Sequence, residues 1–229
     1  MSLKSRSTQE ELLDKEGIPQ KALWRNLYEL DIINKYLGGH VNTLWGIKQI
    51  TKTDRSRVWT IVDLGCGGGD TLRAIAHWAE KNNYKVELTG VDILEDAIAY
   101  AKKHNAHESI RYVQGDFADQ KKGSFDIAIS ALFCHHLYGD QLENLIQTKR
   151  RLARYLIVND LHRHFLAYHS IKLLTRFFSN SYLVKNDAPL SVQRGFKRED
   201  LISLLKKFSW KQARLTWRWA FRWIIIAEN

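Results

Sequence analysis

Hydrophobic periodicity divides the chain into a helical N-terminal segment and a longer region in which strands and helices alternate. Residues 20–37 and 41–51 carry apolar side chains every three or four positions, the spacing of amphipathic helices, and Gly38 and Gly39 separate them. A short helix is also predicted within residues 8–17. From residue 58 onward, β-branched runs alternate with helical periods, which predicts parallel strands joined by right-handed crossovers.

The alternation predicts seven strands, with one long interruption after the fifth. The interruption, residues 162–196, is predicted to hold one helix and a loop at residues 186–190, which is more chain than an ordinary connection needs. A tight connection between the last two strands predicts that the final strand lies antiparallel beside the fifth. The predicted strands cover residues 58–64, 85–92, 109–114, 125–131, 154–160, 213–219 and 222–227, and the helices cover residues 70–82, 95–104, 140–151, 164–178 and 198–208.

The composition fits a single domain in a reducing compartment. A length of 229 residues suits one α/β domain with an appendage. Two cysteines imply neither a disulfide framework nor a zinc site, so we expect a cytoplasmic protein, monomeric or homodimeric. No stretch reads as a signal peptide or a membrane span.

The net charge of +10 comes entirely from the last third of the chain. Residues 1–150 hold 20 Lys and Arg against 20 Asp and Glu, whereas residues 151–229 hold 15 against 5. Such a surface attracts nucleic acid, acidic lipid or an acidic small substrate. A solvated basic surface that aids solubility explains the charge equally well.

A glycine-rich turn follows the first predicted strand, in VDLGCGGGD at residues 62–70. Glycines at such a turn let a ligand approach the backbone, and the next helix N-terminus favours an anion. The spacing departs from the dinucleotide fingerprint, and Asp63 would repel a pyrophosphate. Asp63 instead suits an ammonium group, although it can also serve only to hold its own loop. S-adenosylmethionine (SAM) carries an ammonium and a carboxylate without any phosphate.

Two further acids follow the next two strands. Asp92, in TGVDI, stands close to the distance at which nucleotide-binding folds place a carboxylate on ribose hydroxyls. Asp116, in IRYVQGDF, can accept from an adenine amino group or can cap the next helix. Together with Asp63, these residues predict one nucleoside site.

With these three acids in order, the sequence resembles the class I SAM-dependent methyltransferases from about residue 58 to residue 229. The resemblance implies an α/β fold with a Rossmann-like seven-stranded methyltransferase sheet, mostly parallel with an antiparallel last strand and helices on both faces. It implies SAM as the cofactor and S-adenosyl-L-homocysteine as the product. The cofactor-binding residues it implies are Asp63, Gly65, Cys66, Gly67, Gly69, Asp92, Ile93, Asp116, Phe117 and Ser130.

Three other stretches carry a closer resemblance: LDIINKYLGGH at 30–40, VNDLHR at 158–163 and DAPLSVQRGF at 187–196. They look like bacterial small-molecule methyltransferases of the ubiquinone/menaquinone type and those accompanying type III polyketide synthases. This resemblance implies a phenolic or quinol-like acceptor. It also implies that residues 1–57 form a helical extension over the cofactor site of a 58–229 domain, with Tyr28, His40 or Trp45 walling the pocket. Helices that merely extend the core are the alternative.

The acceptor side is predicted from SALFCHHL, at residues 130–137. His135 and His136 follow the fourth strand, beside the expected methyl position, where an imidazole can deprotonate or position an acceptor. A histidine there can also simply bond the backbone or wall the site. No metal site is predicted, because His135, His136, His162 and His164 lack the carboxylate–histidine spacing of known motifs.

The segment 162–196 is predicted to cover the acceptor as a lid. We expect His162, Arg163, Tyr168 and Arg194 to contact the substrate, with Arg163 and Arg194 holding a planar oxyanion. Packing against a dimer partner and contact with anionic lipid are the alternatives for this surface. The apolar residues of the predicted lid are Phe165, Tyr168, Leu173, Leu174, Phe177 and Phe178.

Two other function classes stay open. Base-amino methyltransferases of DNA or RNA usually carry an Asn/Asp-Pro-Pro-aromatic motif after the fourth strand, and the only prolines here are Pro19 and Pro189. Methylation of RNA at another atom, through the basic last third, is therefore the first alternative. A non-catalytic SAM-binding or interaction protein is the second. The favoured function is methyl transfer to a small aromatic acceptor, with peripheral membrane contact left open.

Overall fold

Seven strands form one twisted sheet at the centre of the protein. The computed structural model describes residues 3–116, 119 and 123–229. The strand order is β3-β2-β1-β4-β5-β7-β6, with β1 to β5 parallel and β7 antiparallel to both of its neighbours. The predicted sheet, including its antiparallel last strand, is confirmed. The strands are β1 (Val58–Leu64), β2 (Lys85–Asp92), β3 (Ile110–Gln114), β4 (Phe125–Ala131), β5 (Ala153–Leu161), β6 (Gln212–Arg218) and β7 (Arg222–Glu228).

Helices cover both faces of the sheet. α2, α3 and α4 pack on one face, α5 and α8 pack on the other, and α1, α6 and α7 lie toward the ends of the strands. No helix in the described part of the chain is long and apolar enough to cross a membrane. The helices are α1 (Gln20–Tyr36), α2 (Gly39–Thr51), α3 (Asp70–Lys81), α4 (Glu95–Lys103), α5 (Gly139–Leu152), α6 (Phe165–Phe178), α7 (Tyr182–Arg194) and α8 (Arg198–Lys206).

Alternate residues of the central strands supply the two halves of the core. Ile61 of β1 and Ile127 of β4 are paired neighbours that face α2 and α3, whereas the next pair, Val62 and Ala128, faces α5. All four are fully buried. Each large apolar side chain buried in this way contributes about 1.5–3 kcal/mol, so the period-2 pattern fixes the register of the sheet.

Two predicted elements differ in the structure. The predicted loop at residues 186–190 lies inside α7, where Pro189 interrupts the helical hydrogen bonding. An internal proline costs about 3 kcal/mol, and the buried side chains of Leu183, Val184, Leu190 and Val192 offset that cost. The predicted helix within residues 8–17 is a single 3-10 turn, Leu12–Asp14. The Asp187 carboxylate accepts from the first N–H groups of this turn, those of Leu12 and Leu13, and the chain becomes extended at Lys15 (φ −88°, ψ 151°), which ends it.

This turn and the residues before it form an N-terminal strap, residues 3–14, that packs across the molecule. Its backbone is tied to α7, since Ser7 N–H donates to the Gln193 carbonyl at 3.1 Å. Arg6 places its guanidinium between the rings of Tyr138 and Phe196, 4.2 and 4.3 Å from their centres. The strap therefore closes over the loop that follows β4.

Glu29 connects α1 to the turn between α6 and α7. Its buried carboxylate accepts hydrogen bonds from the N–H groups of Asn180 at 3.0 Å and Ser181 at 3.4 Å, and from the Ser179 hydroxyl. Burial alone would raise the pKa of Glu29, but these bonds and Arg25 bring it below its ordinary value of 4.5. The helix pair α6–α7 is thus anchored to the N-terminal helix by one charged group.

Replacing Glu29 by Ala should lower the free energy of unfolding by about 2–3 kcal/mol, because hydrogen bonds to a charged group are lost. Since the folded pKa lies below the unfolded one, this contribution is present above pH 4.5 and is lost as the pH falls through the folded pKa. Urea unfolding followed by circular dichroism at pH 7 and pH 4 measures both effects. Glu108→Ala, in an exposed turn, is the matched control; equal losses in the two variants would contradict the assignment.

Candidate active site

The loop between β1 and α3 is a tight turn with room only for glycine at two positions. Gly65 and Gly69 have φ angles of +75° and +73°. A Cβ atom on Gly65 would lie 2.6 Å from the ring of Phe133, and one on Gly69 would lie 2.3 Å from the Tyr112 hydroxyl. The loop therefore packs against Phe133 and Tyr112 in a shape that only glycine permits at these two positions.

Asp63 lies in β1 just before this loop and is 2% exposed. Its Oδ1 atom has no hydrogen-bond partner among the described residues. Burial raises the pKa of Asp63 well above its ordinary value, and the charge of Asp70 adds to the effect while Lys149 opposes it. An unpartnered buried carboxylate oxygen costs roughly 1–3 kcal/mol. A ligand that carries an ammonium group fits this position.

Asp92 ends β2 beside the same loop and holds it in place. One carboxylate oxygen accepts the Gly67 N–H at 2.8 Å and the other accepts the Leu94 N–H at 3.0 Å. The Ile93 N–H is a third backbone donor to this carboxylate, which still keeps acceptor capacity for a ligand hydroxyl. Burial raises the pKa of Asp92, although these bonds oppose the shift.

The other predicted cofactor residues fall into three groups. Ile93 and Asp116 are exposed at the ends of β2 and β3, on the same edge of the sheet as Asp92. Cys66 and Ser130 are buried beneath the loop, and burial raises the pKa of the Cys66 thiol well above its ordinary range. Phe117 lies outside the described residues.

The N-terminal helices contact the glycine loop through Asp70. His40 Nε2 lies 2.9 Å from the Asp70 carboxylate, and Asn34 donates to it at 2.8 Å. Burial would raise the pKa of Asp70, but His40 and Asn34 lower it overall. Tyr28 is exposed on α1, and the Trp45 ring lies against Arg218 of β6, 4.4 Å from the guanidinium. Of the three predicted wall residues, His40 alone is linked to the loop by a bond that the structure describes.

Two histidine–carboxylate pairs stand at the ends of β4 and β5. His135 Nδ1 lies 2.8 Å from Asp160 of β5, and His136 Nδ1 lies 2.9 Å from Asp14 of the strap. The free Nε2 atoms of both rings turn toward Glu11, at 3.7 Å and 3.8 Å from its oxygens. The Nε2 atoms of both imidazoles therefore face the same small space beside the Glu11 carboxylate.

Charges around this space shift the pKa values of Asp160 and His136. Burial would raise the pKa of Asp160, but the charge and hydrogen bond of His135 lower it overall. Burial would lower the pKa of His136, but the Asp14 bond and the charges of Glu11 and Asp14 raise it. His136 also acts on Asp92, whose pKa its charge lowers against the effect of burial. The histidine pair and the glycine-loop acids therefore belong to one electrostatic neighbourhood.

The predicted substrate residues of the 162–196 segment take different positions. Arg194 is buried and donates to the carbonyl oxygens of His135 and His136, at 3.3 and 2.9 Å, and to Asp14. Arg163 is also buried and donates to the Gly195 carbonyl at 2.6 Å and to Asp200 at 3.1 Å. Both guanidinium groups therefore already bind protein oxygens.

His162 and Tyr168 belong to apolar surroundings. Trp217 donates to His162 Nδ1 at 3.2 Å, and burial together with the charge of His164 lowers the pKa of His162 to about 4. Tyr168 is buried in the cluster that joins α6 to α7 and the end of α1. In contrast, five of the predicted lid residues are exposed on α6: Phe165, Leu173, Leu174, Phe177 and Phe178. The side chains beside the histidine pair come from β5, α7 and the strap.

Sequence reasoning missed three residues of this site: Glu11, Asp14 and Asp160. Asp160 ends a strand, as do Asp63 and Asp92, and that shared position was a usable signal. Glu11 and Asp14 lie in an irregular segment without periodicity, so their approach to the histidines depends on tertiary contacts.

Comparison with known proteins finds the same fold in several methyltransferases. A family profile described as "Methyltransferase domain" matches residues 61–155. The plantazolicin methyltransferase BpumL, solved with a desmethylplantazolicin analogue and S-adenosylhomocysteine (SAH), aligns with a TM-score of 0.66 and 14% identity over 92% of this chain and 96% of its own. The magnesium protoporphyrin IX methyltransferase of Synechocystis, with bound SAH, gives 0.59 and 19% over 91% and 94%. Human N-acetylserotonin methyltransferase, with SAM, gives 0.64 and 17% over 92% and 56%.

Proposed function

We propose that this chain is a class I SAM-dependent methyltransferase, as its sequence resemblance indicates, and that it transfers the methyl group of SAM to an oxygen of a small aromatic acceptor. The observation that supports this proposal most strongly is that His135 and His136 are each oriented by a carboxylate. They lie close enough to the acids of the glycine loop for the charge of His136 to lower the pKa of Asp92. The plantazolicin, protoporphyrin and N-acetylserotonin enzymes act on molecules of different kinds, so the choice of a phenolic or quinol-like acceptor rests on this site and on the sequence resemblance.

The residues at the end of β1 and β2 suit the amino-acid end and the ribose of SAM. Asp63, just before the glycine turn, offers the unpartnered oxygen that an ammonium group would satisfy. Asp92 offers spare lone pairs to the ribose hydroxyls. Bound SAM supplies a methyl group that its sulfonium charge already activates, so the protein has to align the acceptor, exclude water and manage a proton.

The histidine pair carries the acceptor side of this proposal. Asp160 and Asp14 fix the two rings through Nδ1, so that Nε2 of each ring faces the space beneath the strap. An acceptor hydroxyl in that space would be oriented there and would lose its proton there. Arg6 and Arg194 bind the carbonyl oxygens of His135 and thereby hold this loop in position.

Replacing Asp92 by Ala should weaken SAM binding roughly 10- to 150-fold, the equivalent of about 1.5–3 kcal/mol for hydrogen bonds to a charged group. Isothermal titration calorimetry measures the affinity, and circular dichroism checks the fold. Glu87→Ala, an exposed change on the same strand, should bind SAM as the wild type does. Unchanged affinity in the Asp92 variant would remove its ribose role, and a folded wild type that binds no SAM would refute the proposed function.

Replacing His135 or His136 by Ala should lower the rate of methyl transfer about 100- to 10,000-fold at saturating acceptor, because the hydroxyl loses its partner for deprotonation. SAM affinity should change by less than about threefold, since the cofactor is held elsewhere. Transfer from tritiated SAM to a panel of alkylphenols and quinols measures turnover. His107→Ala, at a surface pair with Glu80, is the control.

Two results would count against this assignment. A double variant of His135 and His136 that keeps normal turnover would exclude the pair from the reaction. A product methylated only on carbon or nitrogen would overturn the proposed oxygen acceptor. Transfer into total RNA in place of the phenols would favour the nucleic-acid alternative.

We also propose that the exposed face of α6 rests on an anionic lipid surface, from which a long-chain acceptor is collected. Only Ala167, Tyr168, Ile171 and Thr175 of this helix are buried, at helical spacing. The opposite face carries the basic residues Lys172 and Arg176 among its apolar side chains. A basic side chain near an anionic membrane contributes about 1 kcal/mol, and each buried aromatic adds about 1.5–3 kcal/mol. The most exposed apolar residues are Phe165, Leu173, Phe177 and Phe178.

Phe177→Ser combined with Phe178→Ser should reduce binding to vesicles of phosphatidylcholine with phosphatidylglycerol at least tenfold, because two aromatic side chains no longer insert. Vesicle co-sedimentation measures binding, and vesicles of phosphatidylcholine alone test the charge dependence. Val58→Ser is the control, since this exposed residue begins β1 at the opposite end of the sheet. Equal binding by the double variant and the wild type would exclude this surface.

A further inference from the structure

Glu11, His135 and His136 leave a gap between them that no hydrogen bond closes. His135 Nε2 lies 3.7 Å from one Glu11 oxygen, and His136 Nε2 lies 3.8 Å from the other. One ligand atom from each residue lies within 4.8 Å of the others. These separations exceed a hydrogen bond, yet they are close to the roughly 3.3 Å between neighbouring ligands bound at 2.0–2.1 Å to a tetrahedral metal ion.

The other nitrogen of each ring is held as in known metal sites. Asp160 binds His135 Nδ1 at 2.8 Å, and Asp14 binds His136 Nδ1 at 2.9 Å. A carboxylate on one imidazole nitrogen fixes the tautomer and directs the lone pair of the other nitrogen toward a metal. Ser191 likewise donates to a Glu11 oxygen at 2.9 Å. Every one of the three candidate ligands is thus oriented by a second residue.

The charges in this cluster also favour the binding of a cation. With both imidazoles neutral, as metal ligation requires, the carboxylates of Glu11, Asp14 and Asp160 contribute three negative charges, the guanidinium groups of Arg6 and Arg194 offset two, and one negative charge remains. Arg194 directs its hydrogen bonds to the carbonyl oxygens of Gln9, His135 and His136 and to Asp14, and its Nε stays 3.8 Å from Glu11.

A second cluster shows what an ordinary ion pair looks like in this protein. Asp31, His40 and Asp70 also stand near one another, but His40 Nε2 is bonded directly to Asp70 at 2.9 Å. That contact leaves no gap between the imidazole nitrogen and the carboxylate. In the Glu11 cluster, the short contacts are all at Nδ1 and both Nε2 atoms stand apart from the carboxylate they face.

We propose that Glu11, His135 and His136 bind a divalent transition-metal ion such as Zn²⁺, with a coordination position left for the acceptor oxygen. Two imidazoles and one carboxylate suit zinc, iron or cobalt better than magnesium or calcium. The role of the open position rests on the proposed function. With a metal bound there, both Nε2 lone pairs would be occupied, so the metal instead of the imidazoles would make the acceptor hydroxyl acidic, and its proton would leave to solvent. The oxygen then forms the new bond to the methyl carbon while the carbon–sulfur bond breaks, and the sulfonium becomes a neutral thioether.

Metal titration of the chelator-treated full chain tests this site. Wild type should bind one Zn²⁺ per chain, measured by calorimetry and by elemental analysis after dialysis, and Co²⁺ should give the visible absorption of a four- or five-coordinate site. Glu11→Gln, which keeps the size of the side chain, and His136→Ala should each weaken binding at least 100-fold. Asp14→Asn should weaken it about 10- to 100-fold, since it removes an orienting carboxylate. His107→Ala should bind as the wild type does.

The outcomes separate the metal site from the proposed function. A folded wild type that binds no Zn²⁺ or Co²⁺, or that binds them equally well as the Glu11→Gln and His136→Ala variants, would overturn the metal site. Full methyl transfer by the metal-free protein would overturn its catalytic position while leaving the proposed function intact. Stoichiometric metal with no SAM binding would instead refute the proposed function and support the site.

Discussion

The carboxyl ends of parallel strands meet at one edge of a sheet, and the arrangement of the candidate active site depends on that constraint. Asp63, Asp92 and Asp160 end or nearly end β1, β2 and β5, and His135 follows β4. Four groups from distant parts of the sequence thus converge without any of them having to be steered by a long loop. The buried, interlocking residues of the two core halves fix the strand register and therefore fix the distances between these groups.

The strap and α7 supply the remaining residues of the candidate site. Glu11 and Asp14 reach the histidines because Asp187 binds the backbone of the strap and Arg194 binds both the strap and the histidine loop. Each connection is a hydrogen bond to a charged group, worth about 1.5–3 kcal/mol. The proposed acceptor side is consequently held by polar contacts, whereas the proposed cofactor side is held by the packed core.

This division explains what the sequence could and could not predict. The strands and the glycine turn follow from local periodicity and from residue types with strong backbone preferences, so their positions agree with the structure within about two residues. The helix containing Pro189 was predicted as a loop because proline is a strong local signal, and the buried contacts that outweigh it come from other elements. Arg163 and Arg194 looked available for a substrate because a sequence does not display the carbonyl oxygens that bind them. Glu11 could not be predicted, because no pattern in the sequence around it indicates contact with the histidines.

The sequence distance between the strap and its partners has a consequence for the order of folding. The contact between Leu12 and Asp187 spans 175 residues, and that between Arg6 and Arg194 spans 188. Closing so long a loop costs conformational entropy before the strap's contacts can stabilise it. We therefore expect the strap to dock after the sheet has formed. Segments that dock last through a few polar bonds are also those that open at the lowest free energy. We therefore expect the strap to release and re-dock while the sheet stays intact, which would give a small molecule a route to His135 and His136 without global unfolding.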